Sequence, residues 1–148
     1  MITARADVVG SLLRPAELLK AQQDLASGTI TRATFKTIED RAVDEAVALQ
    51  EETGLEVITD GEMRRQSFQS QMTEAVDGFG EYTLDAFLWG KWQGEKEVGD
   101  WTMERPATLG VVKKLIRKRY LSVTEYTYLS GRTTRTPKVT LPSPSLFA

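Results

Sequence analysis

The sequence predicts an α/β domain with parallel strands joined by helical crossovers, and three observations carry that prediction. Apolar residues recur at spacings of three and four from Thr31 to Thr53, the mark of an amphipathic helix. A single glycine, Gly54, separates that helix from the apolar run Leu55, Val57 and Ile58, as in the return half of an α/β unit. A second strand-like run, "PKVTLPSPS", follows another short helical stretch near the end of the chain. Parallel pairing needs such crossovers, in a barrel and in an open sheet alike.

Taken in order, "DVVGS" (7–11) reads as a short buried strand running into a turn at Gly10. "RPAELLKAQQDLASG" predicts a helix with Pro15 at its first position, Leu18, Leu19, Leu25 and Ala26 on one face, and Gly28 as its stop. The helix of 31–53 places Phe35, Ile38, Ala42, Ala46 and Leu49 on its apolar side and ends in a glycine cap at Gly54. The strand "LEVITD" follows directly. Residues 66–108 mix glycines with Trp89, Trp92 and Trp101 without a sustained period, and read as an irregular insertion with short elements after that strand. Beyond it, "LGVVKKLIRKR" reads as extended, "SVTEYTYLSG" as a short helix capped near Ser122, and "PKVTLPSPS" as a strand cut off by Pro142. The expected organisation is one domain over 1–148: the first βα units in 1–65, the insertion in 66–108 and a return to the main fold in 109–148.

At 148 residues, 41% hydrophobic and 27% charged, with a mean hydropathy of -0.31, the chain has the profile of a soluble globular domain. No apolar run approaches the roughly 20 residues of a spanning helix, so no membrane association is expected. The start "MITARADVVGSLLRP" lacks the apolar core and cleavage site of a secretory signal, and a cytoplasmic location is expected. A formal charge of -2 gives no attraction to nucleic acid, and the basic run "KKLIRKRY" (113–120), interrupted by Leu115 and Ile116, reads as a solvated strand edge or a subunit contact. There is no cysteine and no histidine. Disulfides, thiolate or imidazole zinc ligation, and Ser-His or Cys-His nucleophilic catalysis are therefore excluded for this chain's own side chains.

Ligands of α/β folds bind at the carboxyl ends of the strands. Three segments end there: "VVGS", "ITDGE" and "LPSPS". Gly10 with the amide and hydroxyl of Ser11 makes a small donor set suited to a carboxylate or phosphate. Asp60 and Glu62 are acceptors suited to an ammonium or a metal. Together they are the two receptors that an amino-acid backbone requires. The plainer alternatives are a turn in which Asp60 caps and Gly61 takes positive φ, and a helix entrance at Gly10 and Ser11 with no ligand.

"RADVVGSLLRP", "IEDRAVDEAVALQEETGLEVITDGEMRRQSF" and "TTRTPKVTLPSPS" resemble, in that order, the beginning of the cobalamin-independent methionine synthase family, in particular its shorter single-barrel members. The resemblance implies a (βα)₈ TIM-type barrel, present here as its N-terminal portion, in which a zinc-bound thiol such as homocysteine accepts a methyl group from a methylated folate. It also implies that the Val9-Gly10-Ser11 turn holds the amino-acid portion of the substrate and that Glu62 is an acidic substrate contact; beside them, Asp60 is expected to orient the loop. Many single-barrel members carry a histidine where this chain has Val8. The family's zinc ligands are histidine and cysteine side chains of later strands, so no zinc is expected on this chain and no turnover from it alone.

A barrel of this kind needs roughly 250 residues, and the chain supplies about three of its eight strands. Open strand edges and an uncovered inner face lead to the expectation of a fragment of a longer product, or of a homo-oligomer or an association with the missing barrel segment. Two alternatives stand beside the methionine synthase reading: alkyl transfer to another thiol such as coenzyme M, and a non-catalytic binding or interaction module.

Overall fold

A computed structural model of the chain describes residues 6–67, 70–82 and 108–143. In chain order its elements are α1 (Ala16–Ala26), α2 (Arg32–Glu52), β1 (Val57–Ile58), α3 (Ser70–Ala75), β2 (Val76–Tyr82), β3 (Thr108–Arg117), α4 (Val123–Ser130) and β4 (Thr136–Pro137). The chain divides into two compact units, one of residues 1–72 and 120–142, the other of 73–119 and 143–148.

In the larger unit the core is Leu18 from α1, Ala42, Val43, Ala46 and Val47 from α2, Ile58 from β1, Met63 from the turn after it, and Leu129 from α4. Pro15 is the residue before α1, one place earlier than expected, and its carbonyl accepts from Leu19 N–H at 3.1 Å. Of the predicted apolar face, Leu18 is fully buried whereas Leu19 is 45% exposed. One residue of helix is a rotation of about 100°, which carries position 19 off the face shared by 18, 21 and 25. Thr31 caps α2 by accepting from Thr34 N–H at 3.1 Å, and the helix closes with Gly54 N–H to Glu51 C=O at 3.0 Å and Leu55 N–H to Gln50 C=O at 3.1 Å. Its buried arc centres on Val43, Ala46 and Gln50, so Leu49, expected inside, falls past the margin and is exposed.

β1 and β4 pair in parallel, Val57 opposite Thr136 and Ile58 opposite Pro137. Thr136 N–H donates to Glu56 C=O at 3.2 Å and Lys138 N–H to Ile58 C=O at 2.8 Å, on either side of the proline that has no N–H to give. The last strand therefore starts at Thr136, and its regular part is shorter than the sequence suggested. Beyond Ile58 the side chain of Gln50 acts as the neighbour a further strand would have been. Its Nε2 donates to Thr59 C=O and to Ala46 C=O, each at 2.8 Å, and its Oε1 accepts from Thr59 N–H at 3.0 Å.

The strand expected at residues 7–11 does not form. Residues 6–9 have no regular structure and Val9 is 83% exposed. Ser122 precedes α4 as expected, but in a left-handed conformation (φ 59°), and its hydroxyl does not cap the helix.

The second unit corrects the reading of 66–117. Within 66–108, α3 and β2 are regular, and β2 pairs antiparallel with β3, so the extended stretch after residue 108 belongs to this unit and the chain returns to the larger one at Tyr120. At Gly78, φ is 110° and a Cβ would stand 2.9 Å from the carbonyl oxygens of both Lys113 and Lys114. Only glycine fits, and the register shifts there, between Asp77 and Phe79. The basic run lies on exposed backbone, with Lys118 paired to Asp77 at 2.8 Å and Arg119 to Glu74 at 3.0 Å. Trp89, Trp92 and Trp101 lie outside the described residues.

Candidate functional site

The turn after β1 is built by its own side chains. Thr59 Oγ1 accepts from Gly61 N–H at 3.1 Å, Asp60 Oδ1 accepts from Glu62 N–H at 3.0 Å, and Met63 N–H reaches back to Asp60 C=O at 3.4 Å. Gly61 (φ 64°) and Glu62 (φ 55°) both lie in the left-handed region, as in a primed turn. For glutamate that conformation costs on the order of 1–3 kcal/mol, a strain that collects at functional sites. Asp60 caps and Gly61 takes positive φ, as the plainer alternative required, but the second positive φ at Glu62 goes beyond it.

Residues 10–14 lie against this turn. Leu12 N–H donates to Gly61 C=O at 3.0 Å and Arg14 Nη2 to Glu62 C=O at 3.1 Å. A Cβ on Gly61 would come within 3.3 Å of the Leu12 side chain, so the close approach also depends on glycine. The two expected receptor segments thus meet through backbone pairing. Their side chains differ in setting: Asp60 and Glu62 are buried, Gly10 is half-buried beside open space, and Val9 and Ser11 are exposed. Among the described residues, Ser11 bonds neither carboxylate.

Glu62 is held by residues that the sequence did not single out. Arg65, only 1% exposed, donates from Nη1 to Glu62 Oε1 at 3.1 Å and to Thr140 Oγ1 at 2.9 Å, and from Nη2 to Thr140 C=O at 2.8 Å. Thr140 Oγ1 in turn donates to Glu62 Oε1 at 2.5 Å. On its other side, Arg65 Nε faces Glu125 Oε1 at 3.5 Å. Glu125 accepts from Gln71 Nε2, and Gln71 Oε1 accepts from the Ser122 hydroxyl at 2.8 Å. Burial pushes the Glu125 carboxyl above the ordinary glutamate range; Arg65 opposes that shift and Asp60 adds to it. Asp60 Oδ2 is buried without a hydrogen-bond partner. The signal that could have found Arg65 is its place three residues after Glu62, since a buried carboxylate beside a turn calls for a nearby cation.

The neighbouring Arg64 takes another course. It pairs with Glu39 and, at 2.5 Å, with Asp40, and its guanidinium lies 4.3 Å from the centre of the Tyr128 ring. A shallow cavity of about 380 Å³ is lined by Lys36, Arg64, Val123, Thr124, Thr127 and Tyr128, without Asp60 or Glu62, and its two cations are already engaged by Glu39 and Asp40.

Among the described residues no three acidic, histidine or cysteine side chains converge to hold a metal ion, and the chain has no imidazole or thiol to offer. The donors present do not fit the zinc that the resemblance implies. Nor, among the described residues, is any helix long and apolar enough to cross a membrane.

Residues 1–134 match the family model described as "Cobalamin-independent synthase, Catalytic domain". Two uncharacterised Bacillus subtilis proteins, YxjH and YxjG, are 32% and 33% identical over 97% of this chain, which spans 36% of each of them. The 5-methyltetrahydropteroyltriglutamate–homocysteine methyltransferase of Xylella fastidiosa is 26% identical over 92% of the chain and 16% of its own length. Among solved structures, a Listeria monocytogenes protein assigned as a vitamin-B12-independent methionine synthase matches 97% of the chain, over 37% of its own, with a TM-score of 0.68 and 26% identity. The chain thus spans about a third of the length of YxjH and YxjG. With nine-tenths of its length matched by the family model, this chain belongs to the cobalamin-independent methionine synthase family.

Proposed function

We propose that the chain forms the amino-acid-binding portion of a (βα)₈-barrel methyltransferase that moves a methyl group from a methylated folate to the thiol of homocysteine. The observation that carries this reading is the backbone bond from Leu12 to Gly61, which lays the Gly10-Ser11 turn along the turn of Asp60 and Glu62. In this reading the Ser11 amide and hydroxyl take the substrate carboxylate, Val9 and Gly10 shape the turn that presents them, and Glu62 takes the ammonium. Asp60 fixes the turn by accepting the Glu62 amide. Charge supports an amino acid over a thiol without an amine: the buried Arg65 is shared between the buried Glu62 and Glu125, and the buried Asp60 keeps one oxygen with no hydrogen-bond partner, so an incoming ammonium meets carboxylate oxygens in a low-dielectric setting.

The chain's share of the reaction is recognition. Metal activation of the thiol, where it occurs in this family, draws on donors that this chain does not contain. The parallel edge of β1 and β4 is the seam on which further barrel segments would add.

Calorimetric titration with homocysteine tests the assignment. Binding is expected to the wild-type chain and to weaken roughly tenfold to a hundredfold in Glu62→Gln, the worth of a hydrogen bond to a charged group. A sulfonate thiol lacking an amine should not compete. Equal heats from wild type and variant would remove Glu62 from the site.

A further inference from the structure

Among the described residues, Arg65 is the one whose side chain reaches Glu62 in the turn, Thr140 past β4 and Glu125 in α4. Both bonds that restrain the Glu62 carboxylate, from Arg65 and from Thr140, fall on Oε1. Thr140 is itself oriented by Arg65, which donates to its hydroxyl oxygen and its carbonyl and so turns the hydroxyl hydrogen toward Glu62. Behind Arg65, Glu125 faces its Nε at 3.5 Å as an ion pair without a hydrogen bond, Gln71 donates to Glu125, and Ser122 donates to Gln71. Each link depends on the one behind it, and the last is a serine whose φ of 59° aims its hydroxyl into the cluster instead of at the helix end it precedes.

We propose that Arg65, with Thr140 as its intermediary, is a positioning residue that fixes the single rotamer in which Glu62 offers Oε2 to the substrate ammonium. It does not touch the substrate. A glutamate with three rotatable side-chain bonds, already in a strained backbone conformation, would otherwise spend part of its time turned away, and affinity falls by the fraction of chains out of position. Glu125, Gln71 and Ser122 serve to hold Arg65 forward. The ligand named here rests on the function proposed above; the rotamer does not.

The test therefore has a ligand-free arm. In the wild-type chain the three-bond Hα–Hβ couplings of Glu62, measured by NMR without ligand, are expected to be those of one rotamer. In Thr140→Val, which keeps the shape and removes the hydroxyl, and in Arg65→Lys, which keeps the charge and loses the fork, they are expected to average. Thr140→Ser should restore them. In the second arm homocysteine affinity should drop roughly tenfold in Thr140→Val and recover in Thr140→Ser, in parallel with the couplings. Unaveraged couplings in both Thr140→Val and Arg65→Lys would overturn the proposal, whatever the binding data. Averaged couplings in a chain that binds no homocysteine even as wild type would uphold the positioning role and refute the function.

Discussion

Arg65→Met is expected to lower the free energy of unfolding by about 3–5 kcal/mol at neutral pH, the usual result of removing one partner from a buried ion pair. Methionine fills much of the arginine stem's space, so the loss would report charge more than cavity. Two carboxylates, Glu62 and Glu125, would stay buried without their cation, and Thr140 would lose both donors that orient it. Urea unfolding reads this as a lower midpoint with an unchanged slope.

The pH dependence of that deficit separates charge from packing. Burial raises Glu125 in the folded state, so the stability linked to this group is fully present below the ordinary glutamate value and is lost as pH rises through the raised one. Arg65 restrains the rise; without it Glu125 moves higher, and the variant sheds more stability than wild type on going up in pH. The deficit of Arg65→Met should therefore shrink between pH 7 and roughly pH 5. Glu39, also raised by burial, is common to both proteins and cancels. For Asp40, burial is outweighed by hydrogen bonds from Lys36 and Arg64, so it is lowered and titrates beneath this window. A deficit that stays constant over that range would mean that packing, not charge, is what Arg65 supplies.

Leu18→Ala is expected to destabilise the chain by about 2–5 kcal/mol, whereas Leu19→Ala, one residue on, should change stability by less than about 1 kcal/mol. Leu18 is fully buried in the cluster of Val43, Val47, Ile58 and Leu129, and a truncated side chain there leaves a cavity between α1 and α2. Leu19 lies nearly half in solvent. Equal losses at the two positions would contradict the orientation of α1 described above.

These two leucines show where sequence periodicity stops informing. It located α1 and α2 within a residue or two, because caps, glycine stops and apolar spacing are local properties. It could not say which edge of a broad apolar face turns inward, since that is decided by what packs against the helix. Val9 failed for a related reason: an apolar pair reads as a strand only where a neighbour supplies hydrogen bonds, and the described backbone bond of this segment comes after it, at Leu12. The pairing of β2 with β3 joins stretches separated by 25 residues of irregular composition, and nothing in either strand names the other.

The site divides along the same line. Asp60, Gly61 and Glu62 were legible because a turn of this kind is written in consecutive residues. Arg65 apart, their supports come from far along the chain: Thr140 is 78 positions from Glu62, and Gln71 and Glu125 are 54 apart. Such partners become visible only once β1 and β4 lie side by side. What local chemistry does give is the demand, since a glutamate at the inner end of a buried strand must find a cation and donors somewhere.

The most direct test follows the backbone amides of Ser11 and Glu62 by NMR while homocysteine is added to the chain. If the two turns form one receptor, both resonances should move along the same saturation curve with one dissociation constant, and in Glu62→Gln both should move at higher concentration. Movement of only one of them, or two curves with different midpoints, would show that the two turns touch each other without sharing a ligand.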